Sequence, residues 1–195
     1  MTSNTYHHGD LRKNLIENGL VLLNKEGIDG FSLRKVAALC GVSHTAPYRH
    51  FKNKEELIHE IAQEVWRSFS SALADAVNAY PENPKLQIIE MGKRYVQFLV
   101  EKPEYLSFIF MSDSAIPIQV SKTGIHSQVD AFNVFSESAK NYFHAASIDP
   151  AVHKEKTLLM WSMVHGMALL VAKKNLIYQG DYMELIENML VQYLD

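Results

Sequence analysis

The sequence predicts an all-α fold divided into a small N-terminal domain at 1–55 and a larger helical domain at 56–195. Three observations lead to this fold class. Apolar residues recur at helical spacing through most of the chain. No stretch combines alternating apolar and polar residues with the turn signals of a β-hairpin. Glycine and proline residues interrupt the apolar pattern at intervals that suit helices of ordinary length.

The first two predicted helices have apolar faces and clear end signals. The first extends over about 10–25 and is ended by Gly27 and Gly30. Ser32 is a typical cap for the second, because its hydroxyl can accept a bond from a free N–H group at the helix start. The apolar face of the second helix has the spacing i, i+3, i+4 and i+7, and its members are Leu33, Val36, Ala37 and Cys40.

A tight turn and a polar third helix follow. Gly41 can adopt the left-handed backbone that ends a helix, and Ser43 can cap the next one. Pro47 lacks a backbone N–H group and pushes Ala46 away from α geometry, which predicts an irregular or 3₁₀ first turn. A helix-turn-helix of this length places its second helix in the major groove of DNA. The polar side chains of the third helix are His44, Thr45, Tyr48, Arg49 and His50.

Six more helices are predicted in the remainder of the chain, which brings the total to nine. The segment 112–127 contains Pro117, Gly124 and several serines, so we expect a loop or mixed coil there. The six helices extend over about 53–79, 85–101, 103–111, 128–146, 149–174 and 180–194.

The predicted eighth helix is apolar nearly all the way round in its segment 157–172. Such a helix is either buried on several sides or spans a membrane. The segment is shorter than the roughly 20 residues that a membrane span needs, and His165 lies in its middle. We therefore expect one side of this helix to face its own domain and another to face a second copy of the chain.

Charge and cysteine content restrict the class of protein further. Residues 1–56 carry 8 basic and 6 acidic side chains, whereas 57–195 carry 11 basic and 16 acidic ones. A mildly basic head on an acidic body fits a protein that contacts phosphate with one end only. The one cysteine, Cys40, cannot form an internal disulfide and is interpreted as a packing residue. No secretory signal is recognised, so a cytoplasmic location is expected.

The string ALCGVSHTAPYRHFKNKEEL at 38–57 resembles the TetR family of transcriptional regulators. Further along, Trp161-x-x-x-His165-Gly166 is similar to the Trp-His-Gly signature that names one TetR subgroup. The resemblance implies a nine-helix fold with a DNA-binding head, a ligand-binding body and a homodimer formed by the eighth and ninth helices. It further implies a ligand-responsive regulator, most simply a repressor, that binds an inverted-repeat operator.

The resemblance also assigns DNA contacts. Arg34 can donate two bonds to a guanine edge, although a surface arginine paired with a phosphate or an acid is the alternative. Tyr48 is expected at a phosphate, with a packed core aromatic as the alternative. The expected contacts with bases or phosphates are Ser32, Arg34, Ser43, His44, Thr45, Ala46, Tyr48, Arg49, His50 and Lys54.

Aromatic and methionine residues are concentrated in the C-terminal part and suit a cavity for an apolar or aromatic effector. Single residues of this kind are more often core than ligand contacts. His165 is the candidate for a polar contact with the effector, and a core histidine bonded to a carbonyl is the alternative. The expected cavity residues are Trp66, Phe69, Tyr95, Phe98, Phe108, Met111, Phe132, Phe135, Trp161 and His165.

Other classes of site are not predicted. The spacing of His, Cys, Asp, Glu and Ser gives no metal site, no catalytic set and no cofactor site. The expected partners are double-stranded operator DNA, a small effector and a second copy of the chain, with no membrane. Three alternatives stay open: an activator of the same fold, a helical enzyme with an incidental head, and a purely structural dimer.

Overall fold

The computed structural model describes residues 8–111, 117–121 and 124–194. Within these ranges the chain forms eight α-helices, two 3₁₀ turns and one short β-hairpin. The 3₁₀ turns are Pro47–Arg49 and Pro150–Val152, and the strands are β1 Gln119–Val120 and β2 Ile125–His126. The helices are α1 His8–Gly30, α2 Leu33–Leu39, α3 Lys54–Ala79, α4 Pro84–Glu101, α5 Pro103–Met111, α6 Asp130–Ala145, α7 His153–Ala172 and α8 Tyr182–Leu194.

The predicted helical fold is confirmed, since the described residues are mostly helical, and one short hairpin that the sequence did not predict is added to it. In the hairpin, Gln119 pairs with His126 and Val120 with Ile125 in antiparallel register. The Ser121 N–H donates to the carbonyl of Gly124 at 2.9 Å and closes the loop between the strands. Strands of two residues are too short to produce the alternating pattern by which a hairpin is recognised in a sequence.

The predicted third helix is wrong, and the described residues therefore have eight α-helices instead of nine. Only the 3₁₀ turn Pro47–Arg49 forms there, with the N–H groups of His50 and Phe51 both bonded to the carbonyl of Pro47. The expected irregular turn is thus found, but Ala46 keeps α geometry at φ −60° and ψ −43°. The expected cap at Ser43 is not found, because the 3₁₀ turn that follows has no side-chain cap hydrogen bond. The Ser43 hydroxyl instead lies 3.2 Å from the Thr45 hydroxyl.

The chain divides into two compact units, and the described part of the first contains 8–65 and 107–111. Its core is built from apolar residues of α1, α2 and the first half of α3. A Cβ atom added to Gly19 would lie 2.8 Å from Ile61, so glycine permits α1 and α3 to approach closely. Gly27 has φ 70° and kinks α1 near the predicted end of the first helix. Cys40 is half-buried with its Sγ 3.5 Å from the Asn14 carbonyl oxygen, and burial raises the pKa of its thiol.

The second unit contains 66–106 and the described residues from 117 onwards, with α4 packed against α6, α7 and α8. Gly92 lies at the closest approach: an added Cβ atom would be 2.6 Å from Leu190 and 3.2 Å from Val164. Lys93 forms an ion pair with Glu187 at 2.5 Å and connects α4 with α8. In the part of the chain that the structure describes, no helix is long and apolar enough to cross a membrane. The expected functional boundary between 55 and 56 stays a prediction.

Candidate nucleic-acid interface and ligand cavity

The turn after α2 has a fixed backbone geometry. Ser32 caps α2 with its hydroxyl, which accepts a bond from the Lys35 N–H at 3.3 Å, as expected. At the other end Gly41 has φ 67°. The Gly41 N–H donates to the Ala38 carbonyl at 3.1 Å and the Val42 N–H to the Ala37 carbonyl at 3.0 Å. These two bonds form a Schellman motif, which ends α2 and sets the direction in which the chain leaves it.

Polar side chains are exposed along the segment that follows the turn. Ser43, His44, Thr45 and Arg49 are all exposed, and Tyr48 has 59% of its surface accessible. Tyr48 is therefore not a packed core aromatic. These exposed side chains present hydrogen-bond donors and acceptors to solvent, together with the positive charge of Arg49. Such a surface can contact DNA without rearrangement of the core.

Phe51 is the residue that fixes this segment to the first unit. Its ring is buried to 1% exposure, and the Arg12 guanidinium lies 5.4 Å from the ring centroid. Arg12 also forms an ion pair with Glu60 at 2.5 Å, which connects α1 with α3 beside the ring. At the start of α3, the Asn53 side chain accepts a bond from the Glu56 N–H at 2.9 Å and caps the helix. The position of the exposed segment is thus held from both sides.

The other predicted DNA contacts differ in how accessible they are. Arg34 is exposed on α2, whereas Ser32, Ala46 and Lys54 are half-buried. The Lys54 ammonium donates to the Ile28 carbonyl at 3.4 Å. His50 is half-buried, and its Nε2 atom is buried without a hydrogen-bond partner among the described residues.

The second unit contains a small apolar cavity bounded by α3, α4, α6, α7 and α8. Its volume is about 10 Å³, which leaves room for about one water molecule. Three of the predicted residues, Tyr95, Phe135 and Trp161, line it. The other lining residues are aliphatic, methionine or glycine, and were not predicted: Leu73, Ile88, Met91, Gly92, Met160, Val164 and Leu190. Their helical spacing to Tyr95 and Trp161, such as Ile88, Met91 and Gly92 before Tyr95, is a signal that could have found several of them.

A buried polar pair adjoins this cavity. The Tyr95 hydroxyl is hydrogen-bonded to Nδ1 of His165 and joins α4 to α7. Burial lowers the pKa of His165 to about 4 and raises the pKa of Tyr95 well above its ordinary value. Both groups are therefore uncharged near pH 7. The His165 ring also stacks on Trp161 with a centroid distance of 6.1 Å, because residues four positions apart on a helix lie on the same face.

Most of the other predicted cavity residues form one aromatic cluster around this pair. The Phe69 ring lies 4.9 Å from Tyr95 and 5.4 Å from Phe98, and Phe132 lies 5.1 Å from Trp161. Three predicted residues are not brought into this cluster. Trp66 is half-buried on α3 without a described ring contact, and Phe108 is buried but groups with the first unit. Met111 ends α5, and its side chain lies outside the described residues.

Comparisons with known proteins decide the family. A model described as "Bacterial regulatory proteins, tetR family" matches residues 15–61. A second model, described as "Tetracyclin repressor-like, C-terminal domain", matches residues 88–193, more than half of the chain. The chain belongs to the TetR family. The TetR family consists of DNA-binding regulators and not of enzymes, in agreement with the class that the sequence predicts.

Individual relatives resemble the two parts of this TetR chain to different degrees. The tetracycline repressor protein class D of Escherichia coli is 41% identical over 54 residues, which are 28% of this chain and 25% of the repressor. The chain thus aligns with only about a quarter of that relative's length. The HTH-type regulator YobS of Bacillus subtilis (strain 168) is 22% identical over 176 residues, covering 90% of this chain and 86% of YobS. A solved structure of a protein with unknown function from Rhodococcus sp. RHA1 shares the fold, with TM-score 0.73 and 24% identity over 98% of this chain and 97% of that one.

Proposed function

We propose that this member of the TetR family is a homodimeric transcriptional repressor that acts in the cytoplasm. It binds an inverted-repeat operator through the exposed segment after α2, and a small apolar or aromatic effector releases it. The observation that carries the proposal is the accessible polar set at Ser43, His44, Thr45, Tyr48 and Arg49 on a rigidly fixed turn. These side chains add little to the stability of the fold, and DNA is the partner that their chemistry and position suit.

The DNA interface divides into two kinds of contact. We assign Arg34 to a guanine edge, because it is exposed on α2 and a guanidinium can donate two bonds to guanine. The methyl groups of Thr45 and Ala46 suit a thymine methyl. Tyr48 and Lys54 suit phosphate oxygens, which position the head without reading sequence. His50 contacts phosphate only if its ring turns, since its Nε2 atom is buried in the DNA-free chain.

The effector site is assigned to the cavity beside Tyr95, Trp161 and His165. Its apolar walls favour an apolar or aromatic molecule, and the uncharged Tyr95–His165 pair is the polar feature beside it. Because the cavity holds only about one water, an effector must rearrange the helices around it in order to enter. Effector binding is therefore coupled to conformation. The effector binds the rearranged C-terminal domain more tightly than the domain with the small cavity, and this difference in affinity drives the change.

The dimer interface is assigned to α7 and α8. On α7, Leu159, Met163, Gly166 and Leu170 follow the spacing i, i+4, i+7 and i+11 and lie on one stripe. Leu159 and Leu170 are 54% and 42% exposed, and a Cβ atom added to Gly166 would meet nothing within 4 Å. An apolar stripe with a glycine at its centre suits close approach of a second α7. The same Gly166, with Trp161 and His165, supports membership in the Trp-His-Gly subgroup.

The DNA contact is tested by selecting bound fragments from a random DNA pool with the purified protein and measuring affinity for the selected operator. Tyr48→Ala should weaken operator binding by about tenfold or more, because a phosphate hydrogen bond and its positioning are lost. Tyr80→Ala is the matched control, since Tyr80 is 37% exposed and lies in the loop between α3 and α4. Equal affinity of Tyr48→Ala and wild type across a salt titration would remove Tyr48 from the interface.

The direction of regulation needs a separate measurement. A reporter gene placed behind the selected operator should be silenced when the chain is present and expressed when it is absent. Higher expression in its presence would make the chain an activator. Tyr48→Ala serves as the control here, because it should lose the effect on the reporter in either case.

A further inference from the structure

A larger cavity lies apart from the cavity beside Tyr95. It is an open cleft in the second unit, bounded by β2, α6, the 3₁₀ turn Pro150–Val152 and the first turns of α7. Its volume is about 630 Å³, within the range of roughly 300–1,000 Å³ that small-molecule sites occupy. A ligand of that size can enter this cleft without rearrangement of the core.

The charge of the cleft is opposite to that of the body around it. Lys140 and Lys154 lie in its wall together with His126 and His153, and Glu137 is the single acid among its described lining residues. By contrast, residues 57–195 carry 11 basic and 16 acidic side chains. The lining residues thus include two ammonium groups and one carboxylate, so an anion finds more direct partners in the cleft than a cation does.

The two lysines are held only weakly. Lys140 pairs with Glu137 at 3.2 Å and Lys154 with Glu155 at 3.6 Å. Lys140 and the two acids are at least 60% exposed, and Lys154 is 36% exposed. Exposed ion pairs of this kind contribute little to stability, so an incoming anion can replace the acid at small cost. The ammonium groups are therefore available to a ligand.

The inner wall of the cleft is apolar and rigid. The ring of Phe143 is 1% exposed and lies 4.6 Å from the ring of His153. His153 is fixed in turn, since its Nε2 atom donates to the Ile148 carbonyl at 2.9 Å. Ile125 and Pro150 add aliphatic surface to the same cleft. A flat or short apolar group can rest on this wall while a charged group reaches the lysines.

We propose that this cleft is a second ligand site, for a small anion with an apolar body: a carboxylate or phosphate monoester on an aromatic or short aliphatic group. Lys140 and Lys154 bind the anionic group. The apolar body contacts the wall formed by His153, Ile125 and Pro150, which the buried ring of Phe143 supports from behind. The site is distinct from the proposed effector cavity, and its occupancy does not depend on the chain binding DNA.

Calorimetric titration of the full chain tests the chemistry, with benzoate, phenyl phosphate, inorganic phosphate and benzyl alcohol as probes. Benzoate or phenyl phosphate should bind, and benzyl alcohol and inorganic phosphate should bind at least about tenfold more weakly, because each lacks one of the two groups. Binding that is no tighter for either aryl anion than for benzyl alcohol would overturn the proposal, as would the absence of binding by both aryl anions in the millimolar range.

Variants test the location. Lys140→Gln with Lys154→Gln should weaken binding of the tighter aryl anion about tenfold or more, while Lys13→Gln with Lys25→Gln, two exposed lysines on α1, should leave it unchanged. Ala151→Trp should abolish binding by filling the cleft without a change in charge. Equal weakening by both lysine pairs would mean binding to general surface charge and would refute the site. Operator affinity of the cleft variants should equal that of wild type, so failure here is separable from failure of the proposed function.

Discussion

At the scale of single residues, the Tyr95–His165 pair makes the stability of the body depend on pH. The unfolded chain binds a proton at His165 below pH about 6.5, whereas the folded chain keeps it neutral down to a pKa of about 4. The unfolded state therefore binds more protons between these values, and the free energy of unfolding falls as the pH falls through this window. We expect His165 to contribute a loss of about 2 kcal/mol between pH of about 7 and about 4.5.

The measurement is chemical denaturation of wild type and His165→Gln at several pH values. The variant should lose the part of the pH dependence that lies between about 4 and 6.5. His126→Gln, at an exposed histidine on β2, is measured as the control. Parallel curves for wild type and His165→Gln would show that His165 titrates alike in both states.

Residue chemistry made parts of the site predictable. The exposure of Tyr48 followed from the resemblance, which expects it at a phosphate, and the buried ring of Phe51 supplies the apolar anchor of this segment. The burial of His50 did not follow, since it depends on the path of the chain through an irregular turn. The aliphatic lining of the cavity, such as Ile88 and Leu190, is chemically identical to ordinary core. Only their positions in space distinguish such residues.

At the scale of elements, the end of α2 depends on one glycine. Gly41 has φ 67°, and an added Cβ atom would meet nothing within 4 Å. Gly41→Ala therefore introduces backbone strain without a clash and should lower the free energy of unfolding by about 1 kcal/mol. Gly41→Asn should lower it less, because asparagine tolerates the left-handed conformation. Denaturation curves of both variants check this, and equal losses would indicate that strain at Gly41 is not the cause.

Gly92 has the opposite character, because space and not backbone conformation requires glycine there. A Cβ atom would lie 2.6 Å from Leu190 Cδ1 and 3.2 Å from Val164 Cγ1. Gly92→Ala should lower the free energy of unfolding by about 1–3 kcal/mol through overpacking between α4 and α8. Combination with Leu190→Val, which removes the δ-methyl groups, should recover part of that loss. Purely additive effects in this double-mutant cycle would place the strain elsewhere.

Elements were predictable where their signals are local. The starts of α3 and α4 follow from Asn53 and Asn83, whose side chains accept bonds from N–H groups three residues on. The predicted third helix failed because Pro47 and the short distance to Phe51 permit only one turn. The hairpin of β1 and β2 was not predicted for a different reason. Strands of two residues are too short to show an alternation of apolar and polar side chains in the sequence.

At the scale of the whole molecule, the proposed mechanism needs two copies of the chain, since an inverted repeat has two half-sites about 34–36 Å apart. The predicted apolar eighth helix corresponds to α7, which buries Met160, Trp161 and Val164 on one side. Its other side exposes Leu159 and Leu170, as the sequence led us to expect. The sequence predicted that α7 is apolar on two sides. That Gly166 lies at the centre of the exposed stripe, with open space in front of it, is known only from the structure.

Charge on that stripe should therefore separate the copies. Leu159→Glu with Leu170→Glu should weaken dimerisation about a hundredfold or more, because two leucines lose their burial and two carboxylates per chain would be desolvated. Sedimentation velocity should show monomers where wild type is dimeric, and affinity for the two-half-site operator should fall in parallel. Ile177→Glu is the control, since Ile177 is 91% exposed in the loop after α7 and lies off the stripe. A doubly charged variant that still sediments as a dimer would move the interface away from this face of α7.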